Sequence, residues 1–208
     1  MPRGQLSRHE TYEMSKPAIY HVLKRGVDLA FVLLSAPFVL FLSAIIAIAV
    51  KTTSPGPVLY WSERIGIDGH HFQMPKFRTM QVGTPPLATH LLADPSAVLT
   101  PIGGFLRQSS LDEIPQLWSI FIGDMTLVGP RPALFNQADL IALRRKEGVE
   151  RLVPGITGLA QVMGRDDLPI STKVGYDREY LEARSIWFDL KILMITVLRV
   201  IRREGIKH

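Results

Sequence analysis

Residues 29–50 read Leu-Ala-Phe-Val-Leu-Leu-Ser-Ala-Pro-Phe-Val-Leu-Phe-Leu-Ser-Ala-Ile-Ile-Ala-Ile-Ala-Val, twenty-two positions without a charge. As an α-helix this run covers ~33 Å, close to the ~30 Å of a bilayer's hydrocarbon. Length alone permits a full span, but two features pull against a simple crossing. Basic residues flank the run on both sides: Lys16, Lys24 and Arg25 before it, Lys51 and Arg64 after it. Such residues collect on the cytoplasmic side, so both ends are expected there. Pro37 also stands inside the run. A proline in a helix interior removes a hydrogen bond, clashes with the preceding turn and costs ~3 kcal/mol. In lipid the freed carbonyl needs a partner, and the Ser35 hydroxyl is close enough to help. The expectation is a re-entrant, helix-break-helix membrane segment over residues 24–51, bent at Ser35 and Pro37. A kinked ordinary span satisfies the same residues.

Outward from the run, the composition agrees with a lipid neighbour. Mean hydropathy is +0.16, high for a soluble enzyme. Twenty-four Lys and Arg against nineteen Asp and Glu give a net charge of +5, which suits an anionic partner. Lys51-Thr52-Thr53 offers no small-residue cleavage pattern, which argues against a signal peptide. Residues 1–23 form a tail; within it Met1 to Glu13 are polar and unperiodic, and Met14 is a second candidate start, which would make them a cloning remnant. Near the C-terminus Trp187, Leu190, Met194, Val197, Leu198 and Ile201 recur at helical spacing, interleaved with Lys191, Arg199, Arg202 and Arg203. Such a helix can lie in the headgroup layer or pack on its own domain. With no cysteine, thiolate nucleophiles and Cys-based zinc sites are excluded. His70 and His71 are neighbours, which on a strand point to opposite faces.

Residues 52–208 read as one cytoplasmic domain. Val58–Trp61 and His71–Gln73 look like short strands joined through Asp68-Gly69. Residues 81–98 read as a loop. Helices are expected over 102–107, 114–122, 137–147, 172–184 and 186–203, with Leu152–Gly158 as a turn segment. The fold class is α+β, mostly helical with a small β-hairpin or sheet, carrying the N-terminal membrane segment and interfacial amphipathic helices.

Asp112-Glu113 stands at an expected helix start, where unsatisfied N–H groups stabilise carboxylates and attract phosphate. By spacing, Ser110-Leu-Asp-Glu113 is also a capping box, in which Glu113 would only satisfy the Ser110 amide. The surroundings favour chemistry. Lys76, Arg78, Arg107, Arg131 and Arg165 fall in turn-rich segments or at element ends. Arginine matches phosphate bidentately, and carboxylates beside such cations can hold Mg²⁺ at a phosphoryl-transfer site. A glycosidase also uses two carboxylates, but basic surroundings suit phosphate better. A non-enzymatic basic surface protein predicts salt-sensitive binding. The chain lacks an aromatic-basic nucleic-acid motif, so no nucleic acid is expected.

These segments resemble the monotopic phosphoglycosyl transferases, the bacterial sugar transferase family that starts glycoconjugate assembly on undecaprenyl phosphate. The resemblance runs from about Lys24 to Gly205. It is carried by Lys24-Arg25…Asp28, Gly56-Pro57, Glu63-Arg64-Ile-Gly66, Gly69…Phe72, Lys76-Phe-Arg-Thr-Met80 and Gly103…Leu106-Arg107. Then follow Ser110-Leu-Asp-Glu113…Pro115-Gln-Leu117, Gly123-Asp-Met-Thr-Leu-Val-Gly-Pro-Arg-Pro132, Pro154-Gly-Ile-Thr-Gly158, Gln161, Gly164-Arg165, Asp177…Tyr180 and Asp189-Leu-Lys191. Three places depart from the family's pattern: Ser35-Ala36-Pro37 for a Ser-Pro pair further along, Met74-Pro75 before Lys76, and Leu159 where Trp is common.

The resemblance implies a two-step exchange. Asp112 would attack the sugar-linked phosphorus of a UDP-sugar, expel UMP, and pass the phosphosugar to undecaprenyl phosphate. Glu113 would ligate Mg²⁺. Lys76, Arg78, Arg107, Arg131 and Arg165 would do charge work on the diphosphate, with Asp177 among the substrate-binding residues. The implied partners are a UDP-sugar of the N-acetylated hexosamine type, undecaprenyl phosphate and the phospholipid bilayer; a homodimer is allowed. The implied place is the cytoplasmic face of the bacterial inner membrane. The implied product feeds O-antigen, capsule or exopolysaccharide assembly. Polyprenyl glycosyl transfer, which releases UDP, is the alternative within the class.

Overall fold

The computed structural model describes residues 16–85, 94, 96–164 and 168–202. The Met1–Glu13 tail, most of the 86–95 loop, Arg165 and Arg203 lie outside the described residues.

Helix α1 (Ala18–Thr53) carries the apolar run, and its 36 residues extend ~54 Å. The helix continues without interruption through Pro37, so the expected helix-break-helix is not what forms. Ser35 Oγ donates to Val32 O at 3.2 Å, back-bonding in the turn before the proline. One stripe of α1 faces protein. Asp28, Val32, Ile46 and Val50 are buried, with Ser35, Ala36, Val39, Leu42 and Ser43 half-buried between them. These positions recur every three to four residues, the helical period. The opposite face is apolar and uncovered: Phe31, Leu34, Phe38, Leu40, Phe41, Ile45 and Ile48 are exposed, Leu34 by 84%. By length and composition α1 is able to cross a membrane.

Strands β1 (Leu59–Ile65) and β2 (His71–Phe77) pair antiparallel from Leu59↔Phe77 to Ile65↔His71. Both are longer than the sequence signals, because pairing extends the short apolar seeds. The turn between them holds Asp68 at φ 52° and Gly69 at φ 79°, left-handed positions that Asp and Gly tolerate. Helix α2 (Gly103–Gln108) follows, then a 3₁₀ turn Leu111–Gln116 and helix α3 (Leu117–Ile122). The single helix expected over 114–122 is thus split. Ser110 is left-handed (φ 57°), and Pro115 lacks the N–H that would continue an α-helix back through the turn.

Strand β3 (Thr126–Val128) is fully buried. Strand β4 (Ala133–Leu134) adds to β1. Helix α4 (Ala138–Lys146) leads back to β5 (Gly155–Thr157), which pairs parallel with β3. This second small sheet replaces the expected turn at 152–158. Gly129 makes the junction between β3 and β5 close: a Cβ there would stand 2.4 Å from Val153 O. Helices α5 (Leu159–Met163), α6 (Ile170–Ala183) and α7 (Ile186–Arg202) complete the chain. The main core gathers Val32, Phe72, Met74, Ile120, Met125, Leu127, Val162, Tyr180 and Ile192. A second core seats the far end of α1, Ile46 and Val50, on Phe77 and Leu106. Both ends of the apolar run therefore rest on the same domain. On α7 Trp187, Leu190, Met194, Val197 and Leu198 are exposed while Ile192 is buried, so its apolar outer face too is uncovered.

The start of α1 is clamped to β3 by polar bonds. Lys24 Nζ donates to Val128 O (2.9 Å), Tyr180 Oη (3.2 Å) and Asp189 Oδ2 (2.6 Å). Asp28 accepts from the Leu127 amide (3.0 Å) and the Thr126 hydroxyl (2.6 Å). Tyr180 donates to Asp189 Oδ1 at 2.7 Å. Arg25 caps the C-terminus of α3 through Ile120 O (2.5 Å) and Phe121 O (2.7 Å).

Candidate active site

Four elements converge on the acidic pair. Lys76 is the penultimate residue of β2, opposite Tyr60. The 3₁₀ turn 111–116 carries Asp112 and Glu113. Arg131 comes from the Gly129–Pro132 turn between β3 and β4, and Arg107 from α2. The base of α2 is held by Thr100 and Thr79; a Cβ on Gly103 would meet Thr79 O at 2.1 Å, so only glycine lets α2 start there. Arg107 Nε in turn donates to Thr79 Oγ1 at 2.9 Å.

Glu113 is held by two cations through one oxygen. Lys76 Nζ and Arg131 Nη2 each lie 2.7 Å from its Oε1. The capping box that the spacing also allows does not form. Ser110 makes no side-chain cap bond; only its carbonyl accepts the Glu113 amide, at 3.2 Å. The left-handed Ser110 turns the chain out of box geometry and frees the Glu113 side chain for the two cations.

Asp112 is 7% exposed, and among the described residues nothing donates a hydrogen bond to its carboxylate. Burial pushes its carboxyl up to about 6 from the usual 3.8, aided by the Glu113 charge and opposed by Lys76, Arg107 and Arg131. Burial acts the same way on Glu113, but there Arg131 and Lys76 outweigh it and hold the carboxyl well below the usual range. One carboxylate is therefore fixed and ionised, while its neighbour is poised and unbonded. Three cations face the pair. That arrangement can bind an anion of two or more charges and bring its electrophilic centre against Asp112.

Of the expected site residues, Asp112, Glu113, Lys76, Arg107 and Arg131 come together. Arg78 turns elsewhere: it is 5% exposed, and its guanidinium donates to Ser54 O (2.9 Å), Ser54 Oγ (2.7 Å) and Pro55 O, tying the end of α1 to β2. Asp177 is 1% exposed and paired with Arg144, apart from the acidic pair. Arg165 lies outside the described residues. Sequence reasoning assigned no role to Thr79, Arg144 or the Lys24–Asp189 clamp. The charges bordering the apolar run, Lys24 and Asp28, were the only local signal for the last. No group of three or more His, Cys, Asp or Glu side chains gathers among the described residues.

The domain thus sets an acidic pair, Asp112 buried and Glu113 half-buried, against three cations, and carries a helix whose apolar outer face is uncovered. The chain belongs to the bacterial sugar transferase family, whose model matches residues 19–203. It is 34% identical to a UDP-glucose:undecaprenyl-phosphate glucose-1-phosphate transferase of Escherichia coli K12, across 90% of this chain and 42% of that protein. It is 36% identical to a UDP-galactose-lipid carrier transferase of Erwinia amylovora, across 88% of this chain and 41% of that protein. It is 38% identical to an uncharacterised sugar transferase of Bacillus subtilis, across 90% of this chain and 91% of that one. The chain thus spans about two fifths of the first two relatives and nearly all of the third.

Proposed function

We propose that this protein transfers a sugar-1-phosphate from a UDP-sugar to undecaprenyl phosphate and releases UMP. The observation that carries this reading is Asp112, a buried carboxylate free of hydrogen bonds from described residues, beside a salt-bridged Glu113 and three cations. An Asp112 oxygen attacks the sugar-bearing phosphorus. The bond from that phosphorus to the bridging oxygen breaks, and UMP leaves with its electron pair. The phosphate of undecaprenyl phosphate then attacks the same phosphorus and frees Asp112 as the carboxylate. One diphosphate is exchanged for another, so catalysis is a matter of alignment and charge neutralisation. Lys76, Arg107 and Arg131 supply that neutralisation.

Mg²⁺ fits these residues. It is commonly held by one or two carboxylates together with water and substrate phosphates. Glu113 would hold it, and it would supply further positive charge to the diphosphate. With three cations already facing two carboxylates, the diphosphate's own charge favours joint arrival of metal and nucleotide.

The same proposal places the protein on the cytoplasmic face of the inner membrane, with α1 entering lipid from one side and not crossing. Its support is that both ends of the apolar run pack on one domain while its outer face is uncovered. Each exposed large apolar side chain forgoes ~1.5–3 kcal/mol if left in water, so a cover is needed. The chain has no native cysteine. Single cysteines at Lys16 and Thr53 should both react with reagent from the cytoplasmic side only; periplasmic labelling of either defeats the one-sided placement.

The decisive assay for function measures nucleotide release with undecaprenyl phosphate as acceptor, across UDP-glucose, UDP-galactose and UDP-N-acetylhexosamines. UMP is the expected product. Release of UDP instead assigns glycosyl transfer without the phosphate.

A further inference from the structure

We propose that Arg144 is a positioning residue: paired with Asp177, it holds the backbone carbonyl of Arg131 and so keeps the Arg131 guanidinium on Glu113. Neither Arg144 nor Asp177 touches the acidic pair. Arg144 lies on α4, and its guanidinium bridges two elements. Nε and Nη2 donate to Asp177 Oδ2 on α6, at 3.0 and 2.7 Å, and Nη1 donates to Arg131 O at 2.7 Å. The Asp177 side chain is 1% exposed and that of Arg144 12%.

The turn explains why such a bridge is needed. Pro130 and Pro132 flank Arg131, so two of three successive residues have no N–H. The turn's carbonyls depend on donors from outside it. Pro130 O accepts the Gly155 amide at 2.9 Å. Pro132 O accepts Arg64 Nη1 at 3.1 Å. Arg131 O accepts Arg144. Each carbonyl of Pro130-Arg131-Pro132 is thus gripped by a different element: β5, β1 and α4. The side chain leaving the middle of this turn ends 2.7 Å from Glu113 Oε1. A buried ion pair is a weak stabiliser once desolvation is counted, often replaceable by apolar side chains without loss. Its fork geometry, with one arm on the Arg131 carbonyl, is what an apolar pair could not reproduce.

The kinetic arm of the test rests on the proposed transfer; the exchange arm does not. The variants are Arg144→Met with Asp177→Asn, which removes both charges together, and Arg144→Lys, which keeps the charge but replaces the planar guanidinium fork spanning Asp177 and the Arg131 carbonyl with a single nitrogen. In hydrogen exchange, peptides covering 129–134 should lose protection in both variants, while the α6 peptides keep theirs. UMP release should fall on the order of 10–100-fold, in line with the cost of a small misplacement. Placed on an Arg131→Ala background, the same changes should cost less than about 2-fold, because the route through Arg131 is already gone. Equal losses in both backgrounds, or unchanged exchange at 129–134 in Arg144→Lys, would overturn the positioning role. If the unmodified protein releases no UMP from any UDP-sugar, the proposed transfer falls, and the exchange result still decides the inference.

Discussion

Two clusters of buried charge sit at opposite ends of the same helix-to-domain contact, and they differ in one respect. At the root of α1, Lys24 and Tyr180 satisfy Asp189 while Thr126 and Leu127 satisfy Asp28: each oxygen of both carboxylates accepts a donor. At the acidic pair, Glu113 is bonded and Asp112 is not. A raised carboxyl does not separate the two clusters, since burial raises Asp177 and Asp189 as well as Asp112. The supply of donors separates them. A satisfied buried carboxylate is a joint; an unsatisfied one among cations keeps its lone pairs for substrate.

The largest effect that sharpens this contrast is Asp112→Asn. UMP release should fall by at least about 10³-fold, because an amide cannot form the acyl phosphate. Stability should move the other way. A carboxyl raised from 3.8 to about 6 favours folding below its unfolded value and loses that benefit as pH rises through 6. The ionised group therefore costs on the order of 2–3 kcal/mol at pH 7–8, and the variant should melt higher there but not at pH 4.

At the helix root the sign reverses. Lys24→Met removes the ion-pair partner of buried Asp189, which should cost about 3 kcal/mol, seen as a lower unfolding midpoint in bilayer discs. An unchanged midpoint would break the comparison.

Asp112 should also set the acid limb of the pH–rate profile, with activity rising through about 6. Lys76 lowers that value, so Lys76→Met should move the limb to higher pH. A limb that stays put would detach Lys76 from Asp112.

The smallest effect is expected at Ser110, whose side chain caps nothing and whose φ is 57°. Ser110→Gly should be neutral or stabilising by less than about 1 kcal/mol. A clear loss would restore the capping box.

What could be seen in the sequence follows the range of the interactions. The apolar run, the hairpin seeds and the late helices are local patterns; the late helices form close to their expected bounds, whereas the run extends to an unbroken Ala18–Thr53 and the seeds lengthen into β1 and β2. Asp112 and Glu113 were visible because they are adjacent and sit among turn-borne cations. The β3–β5 pairing was hidden, because two three-residue strands joined in parallel carry no period and Pro154-Gly155 reads as a turn. Arg78 and Asp177 looked like site residues beside motif neighbours, yet Ser54, Pro55 and Arg144 claim them. A side chain's direction depends on partners far along the chain. The same limit hid Arg144, one of three consecutive basic residues on a charged helix.

The account stands or falls on whether Asp112 forms a bond to phosphorus. Intact-protein and peptide mass spectrometry after incubation with UDP-sugar and Mg²⁺, without lipid acceptor, reads this directly. The expected result is an added sugar-phosphate mass on the peptide containing Asp112, with UMP released in equal amount. Release of UMP only when undecaprenyl phosphate is present, with no adduct on that peptide, would contradict it.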